Sequence, residues 1–159
     1  MNTALKNDIE QLTATINKFL AKFDLTCRCG IDFGYYYAEN VIEYALIVPK
    51  NFDDSFTAFL NRYDITAPIF IWSLFHEIGH AETEDFFEAE AINEFANYKN
   101  NLDPYNDRDV MEYYNCPDEL LATNWAYLYI KDNYDEVMHF WNEVSKMIND
   151  IYTTYEISI

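Results

Sequence analysis

Two histidines and a glutamate lie within five residues, in the sequence His76-Glu77-Ile78-Gly79-His80. This is an HExxH motif. On a helix, side chains four positions apart share a face, so both imidazoles can bind one metal ion. Glu77 is rotated by about 100° from His76, which keeps it off the metal but close enough to take a proton from a bound water. The pattern predicts a zinc ion on His76 and His80, with Glu77 as a general base.

The scarcity of histidine makes this motif more specific than most short patterns. The chain has only 3 His, and two of them occur here. A pair of hydrogen-bonded core histidines is the alternative. The predicted helix 67–82 is apolar on all sides and should be buried, and buried ionisable groups are costly unless they are paired or bind a metal. Metal binding is therefore the favoured interpretation.

A catalytic zinc needs a third protein ligand and an open position. The remaining histidine, His139, points away from the apolar face of its predicted helix and should be a surface residue. An acidic third ligand is therefore expected, and the candidates are Glu119, Asp118, Glu88 and Glu90.

Glu119 has the best context among these acids. It shares one side of a predicted helix with Ala122 and Ala126, and these small residues allow another helix to approach closely. Gly79 offers the same opportunity on the HExxH helix. An acid in a first helical turn also favours the helix dipole without binding anything, so the alternatives stay open at this point.

Hydrolysis of a peptide also needs a group that polarises the substrate carbonyl. Tyr113 and Tyr114 precede the Glu119 helix, and His139 follows it. The chain contains 14 Tyr, so each tyrosine is more simply explained as a packing residue.

The elements that must position these residues can be predicted from hydrophobic periodicity. Two segments, 27–37 and 41–48, are rich in aromatic and β-branched residues and flank a turn at 38–40, which predicts a β-hairpin. Spacings of three and four predict helices at 3–23, 52–63, 67–82, 86–98, 117–131 and 134–152. The fold class predicted is α+β, a mostly helical zincin-like domain over 1–159 with a small antiparallel β-sheet. The zinc should lie between the 67–82 and 117–131 helices.

Composition argues against several functions. The formal net charge is −18, from 28 acidic and 10 basic residues, which argues against direct nucleic-acid binding and against docking on an anionic membrane. An acidic surface favours a basic partner. The 3 Cys do not form a disulfide framework or a structural zinc pattern. No stretch reaches the ~20 apolar residues that span a bilayer, so a cytoplasmic protein is expected.

The motif and the downstream helix together resemble a known family. The sequence HEIGH, followed by Glu119, Ala122, Trp125 and Ala126 in an E-x-x-A-x-x-W-A pattern, is similar to the gluzincin-like ImmA/IrrE metallopeptidases. Their second motif is close to E-x-x-A-N-x-F-A. The resemblance implies His76, His80 and Glu119 as ligands of Zn²⁺ and Glu77 as the general base. It also implies a protein substrate, namely a DNA-binding repressor or regulator of a phage or mobile element.

A second hypothesis belongs to a different class. A small protein of this charge could be a non-catalytic acidic interaction protein, a DNA mimic or inhibitor, with a structural or vestigial zinc site. The glutamate of the motif argues against it, because a purely structural site has no use for a general base.

Overall fold

A computed structural model describes residues 2–47 and 50–157; the side chains of residues 50–53 lie outside this description. The chain forms two compact units, Met1–Ile47 with Asn133–Ile159 and Val48–Asp132. The mostly helical α+β class is confirmed. Of the described helices, none combines the length and the apolar character that crossing a membrane requires.

The first unit contains two long helices. Helix α1 (Thr3–Leu20) continues into a 3-10 turn at Ala21–Phe23, and the last helix of the chain, α7, covers Tyr134–Thr154. Both match the predicted segments. The residues they bury recur every three or four positions, as an amphipathic helix requires: Leu12, Ile16 and Leu20 in α1, and Val137, Phe140, Val144, Ile148 and Ile151 in α7.

The sheet of this unit has three strands, β1 (Thr26–Gly30), β2 (Gly34–Tyr36) and β3 (Val41–Ala45), in the order β1-β3-β2. Strands β2 and β3 form an antiparallel hairpin with Asn40 in its turn at φ 54°, as predicted, but the predicted single strand 27–37 is divided into β1 and β2. Strand β1 pairs parallel to β3, so the sheet is mixed and not wholly antiparallel as predicted. The short link between β1 and β2 reverses the chain, and β3 then enters between the two strands. Position 48 of the predicted second strand lies outside the described residues.

The regular elements described in the second unit are all helices. The predicted helices 52–63, 67–82, 86–98 and 117–131 are present with small shifts of their ends, and a 3-10 turn covers Glu84–Phe86. Along the chain the helices are α2 (Lys50–Leu60), α3 (Ile69–Thr83), α4 (Ala89–Asn100), α5 (Asp107–Asn115) and α6 (Pro117–Asp132).

Helix α5 was not predicted, because its sequence is polar and follows a segment that resembles a loop. Asn106 is its N-cap, and the Asn106 side chain accepts hydrogen bonds from the backbone N–H groups of Arg108 and Asp109. An asparagine before two acids of a first turn is a helix-start signal, and this signal could have identified the helix.

Candidate metal site

Helices α3 and α6 approach each other closely at the HExxH motif. Most of α3 is buried, including Phe75, His76 and Ile78. A Cβ atom at Gly79 would collide with the backbone carbonyl of Ala122, so only glycine fits at this contact. The predicted close approach through Gly79 and the alanines of α6 is therefore confirmed. This contact brings the first turn of α6 beside the motif.

The two histidines of α3 and the acid of α6 meet at one point. The Nε2 atom of His80 lies 2.6 Å from Glu119 Oε2, and His76 Nε2 lies 3.6 Å from Glu119 Oε1. The two Nε2 atoms are 3.1 Å apart. One ligating atom from each of the three side chains lies within 4.8 Å of the others, so this group could hold a metal ion.

The donor set fits a divalent transition metal. Two imidazole nitrogens and one carboxylate oxygen are known together in catalytic zinc sites. Glu119 is 2 % exposed, and its Oε2 atom receives no hydrogen bond of ordinary geometry from the described residues, although His80 is close. A buried carboxylate oxygen without such a bond is costly. A proton on His80, or a metal cation in its place among the three side chains, would remove this cost.

Thr123 fixes the orientation of His76. The Thr123 hydroxyl lies 2.8 Å from His76 Nδ1 and donates to the backbone carbonyl of Glu119 at 3.0 Å. Because a hydroxyl has one proton to donate, it must accept from His76 Nδ1–H. The lone pair of His76 is then on Nε2, the nitrogen that faces Glu119. Such a partner is typical of histidines that bind a metal. Sequence reasoning missed this role of Thr123, although the residue lies one turn after Glu119.

The electrostatics of the site favour positive charge. Burial alone would raise the pKa of Glu119, but His80 and His76 hold it well below its ordinary value. Burial disfavours the charged form of His80, yet the Glu119 carboxylate raises the pKa of His80 to about 9. In the absence of a metal the site therefore retains a proton, and a metal cation would take the place of that proton.

Glu77 lies beside the ligand group without joining it. Burial raises the pKa of its carboxyl, and the neighbouring His76 and His80 act in the opposite direction. Among the described hydrogen bonds and ion pairs, none involves the Glu77 side chain. The carboxylate is therefore free to accept a proton from a bound molecule.

Lys99, on α4, is a member of the site that sequence reasoning missed. Its Nζ atom lies 2.6 Å from Asp118 Oδ2 and 3.5 Å from Glu119 Oε2. Only 15 % of the Lys99 side chain is exposed. Burial disfavours its charge, but Glu119 and Asp118 more than offset this and raise the pKa of Lys99. Asp118 thus pairs with a lysine instead of joining the ligand group.

The other candidate residues have different surroundings. Glu88 and Glu90 are exposed at the start of α4 and lie outside the group that could hold a metal. Tyr114 is buried and stacks on Phe56 with ring centroids 4.8 Å apart, as a packing residue does. Tyr113 is half-buried, and burial together with the Glu119 carboxylate raises the pKa of its hydroxyl. His139 is exposed on α7 of the first unit, as predicted.

The chain around the site is strongly acidic. The segment from Glu77 to Glu119 contains 13 acidic and two basic residues, Lys99 and Arg108. Several of these acids, including Glu82, Glu88 and Glu94, are exposed. A negative surface of this kind raises the local concentration of positively charged molecules.

Comparisons with protein-family models, with curated proteins and with solved structures give no significant match for this chain. The resemblance to the ImmA/IrrE metallopeptidases therefore stays a prediction that depends on the residues of its two motifs.

Proposed function

We propose that this protein is a zinc-dependent endopeptidase that cleaves a protein substrate. One observation carries the proposal. The HExxH histidines of α3 meet the buried Glu119 of α6, while Glu77 stays unpaired beside them. Three protein ligands leave one coordination position for water or substrate, which distinguishes a catalytic zinc site from a structural one.

Each residue would have a defined part in the reaction. His76, His80 and Glu119 would hold the ion, and Thr123 would keep His76 in the binding tautomer. Bound Zn²⁺ would supply Lewis acidity and lower the pKa of a water molecule toward ~7. Glu77 would take a proton from the attacking water as its oxygen bonds to the carbonyl carbon and the C=O π pair moves to the carbonyl oxygen. Glu77 would then return the proton to the leaving nitrogen as the C–N bond breaks.

The substrate that we propose is a basic polypeptide segment. The acidic residues between Glu77 and Glu119 would attract lysine- and arginine-rich chains toward the site. The resemblance to the ImmA/IrrE family supports a DNA-binding repressor or regulator of a phage or mobile element, because such a protein carries basic segments.

The alternative is an acidic interaction protein with a structural or vestigial zinc. Its main support is the net charge of −18. The geometry of the site favours the peptidase, because a structural zinc is normally held by four protein ligands and needs no free carboxylate beside them.

The test uses zinc-loaded wild-type protein, the Glu77→Gln variant and the Glu90→Gln variant. Each is incubated with a library of lysine- and arginine-rich peptides and with an acidic library, and new peptide ends are identified by mass spectrometry. We expect wild type and Glu90→Gln to cleave the basic library. Glu77→Gln should bind one zinc but cleave at least ~100-fold more slowly, because general-base catalysis contributes ~10²–10⁴-fold.

The Glu90→Gln variant is a matched control, since it removes one exposed acid and leaves the site intact. Undiminished cleavage by Glu77→Gln would contradict the role of Glu77. A zinc-loaded wild type that cleaves neither library would favour the acidic interaction protein.

A further inference from the structure

Lys99 is an unusual residue for its position on α4. This helix has no fully buried residue, and a lysine in a last turn ordinarily extends into solvent and interacts with the helix dipole. The Lys99 side chain instead lies against the first turn of α6, with 15 % of it exposed. Burying an ammonium group is costly, and the contacts with Asp118 and Glu119 offset this cost.

The hydrogen-bond donors of Lys99 are only partly used. An ammonium group has three N–H donors. One meets Asp118 Oδ2 at 2.6 Å. The contact with Glu119 Oε2, at 3.5 Å, is longer than the ~2.7–3.2 Å of an ordinary N–H···O bond. Within the described part of the chain, the Lys99 ammonium thus has donor capacity left, and it lies at the edge of the ligand group.

We propose, resting on the peptidase function above, that Lys99 is the catalytic residue that donates to the carbonyl oxygen of the substrate. When water adds to the carbonyl carbon, the C=O π pair moves to this oxygen, which becomes negative. A preorganised cation beside that oxygen stabilises the charge, and such stabilisation is usually a large catalytic contribution. Asp118 accepts a hydrogen bond from the Lys99 ammonium and so holds it in place. Because Asp118 precedes Glu119 in the first turn of α6, the ammonium stays beside the ligand group.

Lys99 is a better candidate for this part than the residues named from the sequence. Tyr114 is buried in an aromatic stack, and His139 is exposed in the other unit. Tyr113 is close to the site, with the Lys99 ammonium 5.3 Å from the centre of its ring. Its hydroxyl could assist, but it carries no charge, and a charge-assisted hydrogen bond is about twice as strong as a neutral one.

A purely structural role for Lys99 predicts different behaviour. If its only task were to hold α4 against Asp118 and Glu119, replacing it would loosen Glu119 and weaken zinc binding. If it is instead a cation that faces the substrate oxygen, its removal relieves repulsion toward the ion. Zinc affinity then stays equal or increases, and only the binding of anions is weakened.

The experiment compares wild type with Lys99→Met, Lys99→Arg and Lys131→Met. Lys131→Met is the matched control, because it removes a lysine of α6 that pairs with Asp64 and Tyr127. Zinc affinity is measured by competition with a chelator. The visible spectrum of the Co²⁺-substituted protein then reports the binding of two probes. Dimethylphosphinate has the shape and charge of the tetrahedral intermediate, and imidazole is a neutral ligand.

For Lys99→Met we expect zinc affinity equal to or above that of wild type, imidazole binding within ~2-fold, and phosphinate binding weakened ~10–100-fold. Lys99→Arg should keep phosphinate binding within ~10-fold of wild type, because it keeps the charge. Lys131→Met should match wild type for both probes. Equal weakening of both probes, lower zinc affinity, or unchanged phosphinate binding in Lys99→Met would overturn the role of Lys99. A wild type that binds zinc but neither probe would instead contradict the open coordination position, and with it the peptidase function.

Discussion

Where α1 packs against the sheet of the first unit, the polar side chains are neutral groups with neutral partners. The hydroxyls of Thr13 and Tyr44 lie 2.7 Å apart, and the backbone N–H of Cys27 donates to Asn17 Oδ1 at 2.7 Å. Burial raises the pKa of the Cys27 thiol to about 12, so this group stays uncharged. We refer to Thr13, Asn17, Cys27 and Tyr44 as the neutral cluster.

The second unit brings charged groups together instead. Glu119 is ionised between two imidazoles, a lysine lies beside it, and its Oε2 atom lacks an ordinary hydrogen bond. We refer to His76, His80, Lys99, Glu119 and Thr123 as the charged cluster. A core that served only stability would contain groups like those of the neutral cluster, because they satisfy their hydrogen bonds without a buried charge. Within the charged cluster, His76, His80 and Glu119 are the donors that a binding site for a metal cation requires.

Removing the central group of each cluster should give opposite results. Glu119→Gln keeps the side-chain volume but removes the charge, and we expect zinc affinity to fall ~100-fold or more. Tyr44→Phe should leave zinc affinity unchanged and lower the free energy of unfolding by ~1 kcal/mol, through the lost bond to Thr13. Chelator competition and urea unfolding measure the two quantities. Full zinc affinity in Glu119→Gln would contradict the assignment of Glu119 as the third ligand.

Gly79 in the second unit should tolerate a methyl group less well than Gly34 in the first unit. Gly79→Ala places a Cβ against the Ala122 carbonyl and must separate α3 from α6, which should cost ~1–3 kcal/mol and weaken zinc binding. Gly34→Ala in β2 meets only Tyr36, at 3.7 Å, and should change stability by less than ~1 kcal/mol. Thermal and urea unfolding of both variants provide the comparison. If the Gly79→Ala and Gly34→Ala variants were equally stable, the contact between α3 and α6 would be able to relax around the added methyl group.

Variants of Thr123 test whether the orientation of His76, apart from the ligands themselves, contributes to zinc binding. Thr123→Val keeps the shape but removes the acceptor of His76 Nδ1–H, so we expect zinc affinity to fall ~10–100-fold. Thr123→Ser keeps the hydroxyl and should restore most of the affinity. If the serine variant bound zinc as weakly as the valine variant, packing would be responsible and not the hydrogen bond.

The neutral cluster should respond only to alkaline pH. The folded Cys27 thiol has a pKa of about 12, against 9.0 for an unperturbed cysteine. Its stabilising contribution is therefore complete below pH ~9 and is lost as the pH rises toward 12. Between pH 8 and 10, wild type should lose about 1 kcal/mol more free energy of unfolding than Cys27→Ala. Urea unfolding at both pH values tests this. If wild type and Cys27→Ala lost the same free energy of unfolding, the raised pKa of the Cys27 thiol would be contradicted.

The sequence predicted the parts of this molecule that depend on regular patterns. The spacing of His76 and His80, and the small residues Gly79 and Ala122, were enough to anticipate two helices in close contact with Glu119 between them. The pairing of β1 with β3 could not be anticipated, because strand order depends on contacts between distant segments. Lys99 also gave no signal, since an exposed and a buried lysine in the last turn of a polar helix have the same sequence pattern.

The proposed function requires that His76, His80 and Glu119 of the charged cluster hold a metal ion. The most direct measurement is elemental analysis of purified wild-type protein beside His76→Ala, each after exposure to zinc and removal of the excess. We predict one zinc per chain in the wild type and none in the variant. A wild type without metal, or a variant that keeps as much zinc as the wild type, would contradict this account.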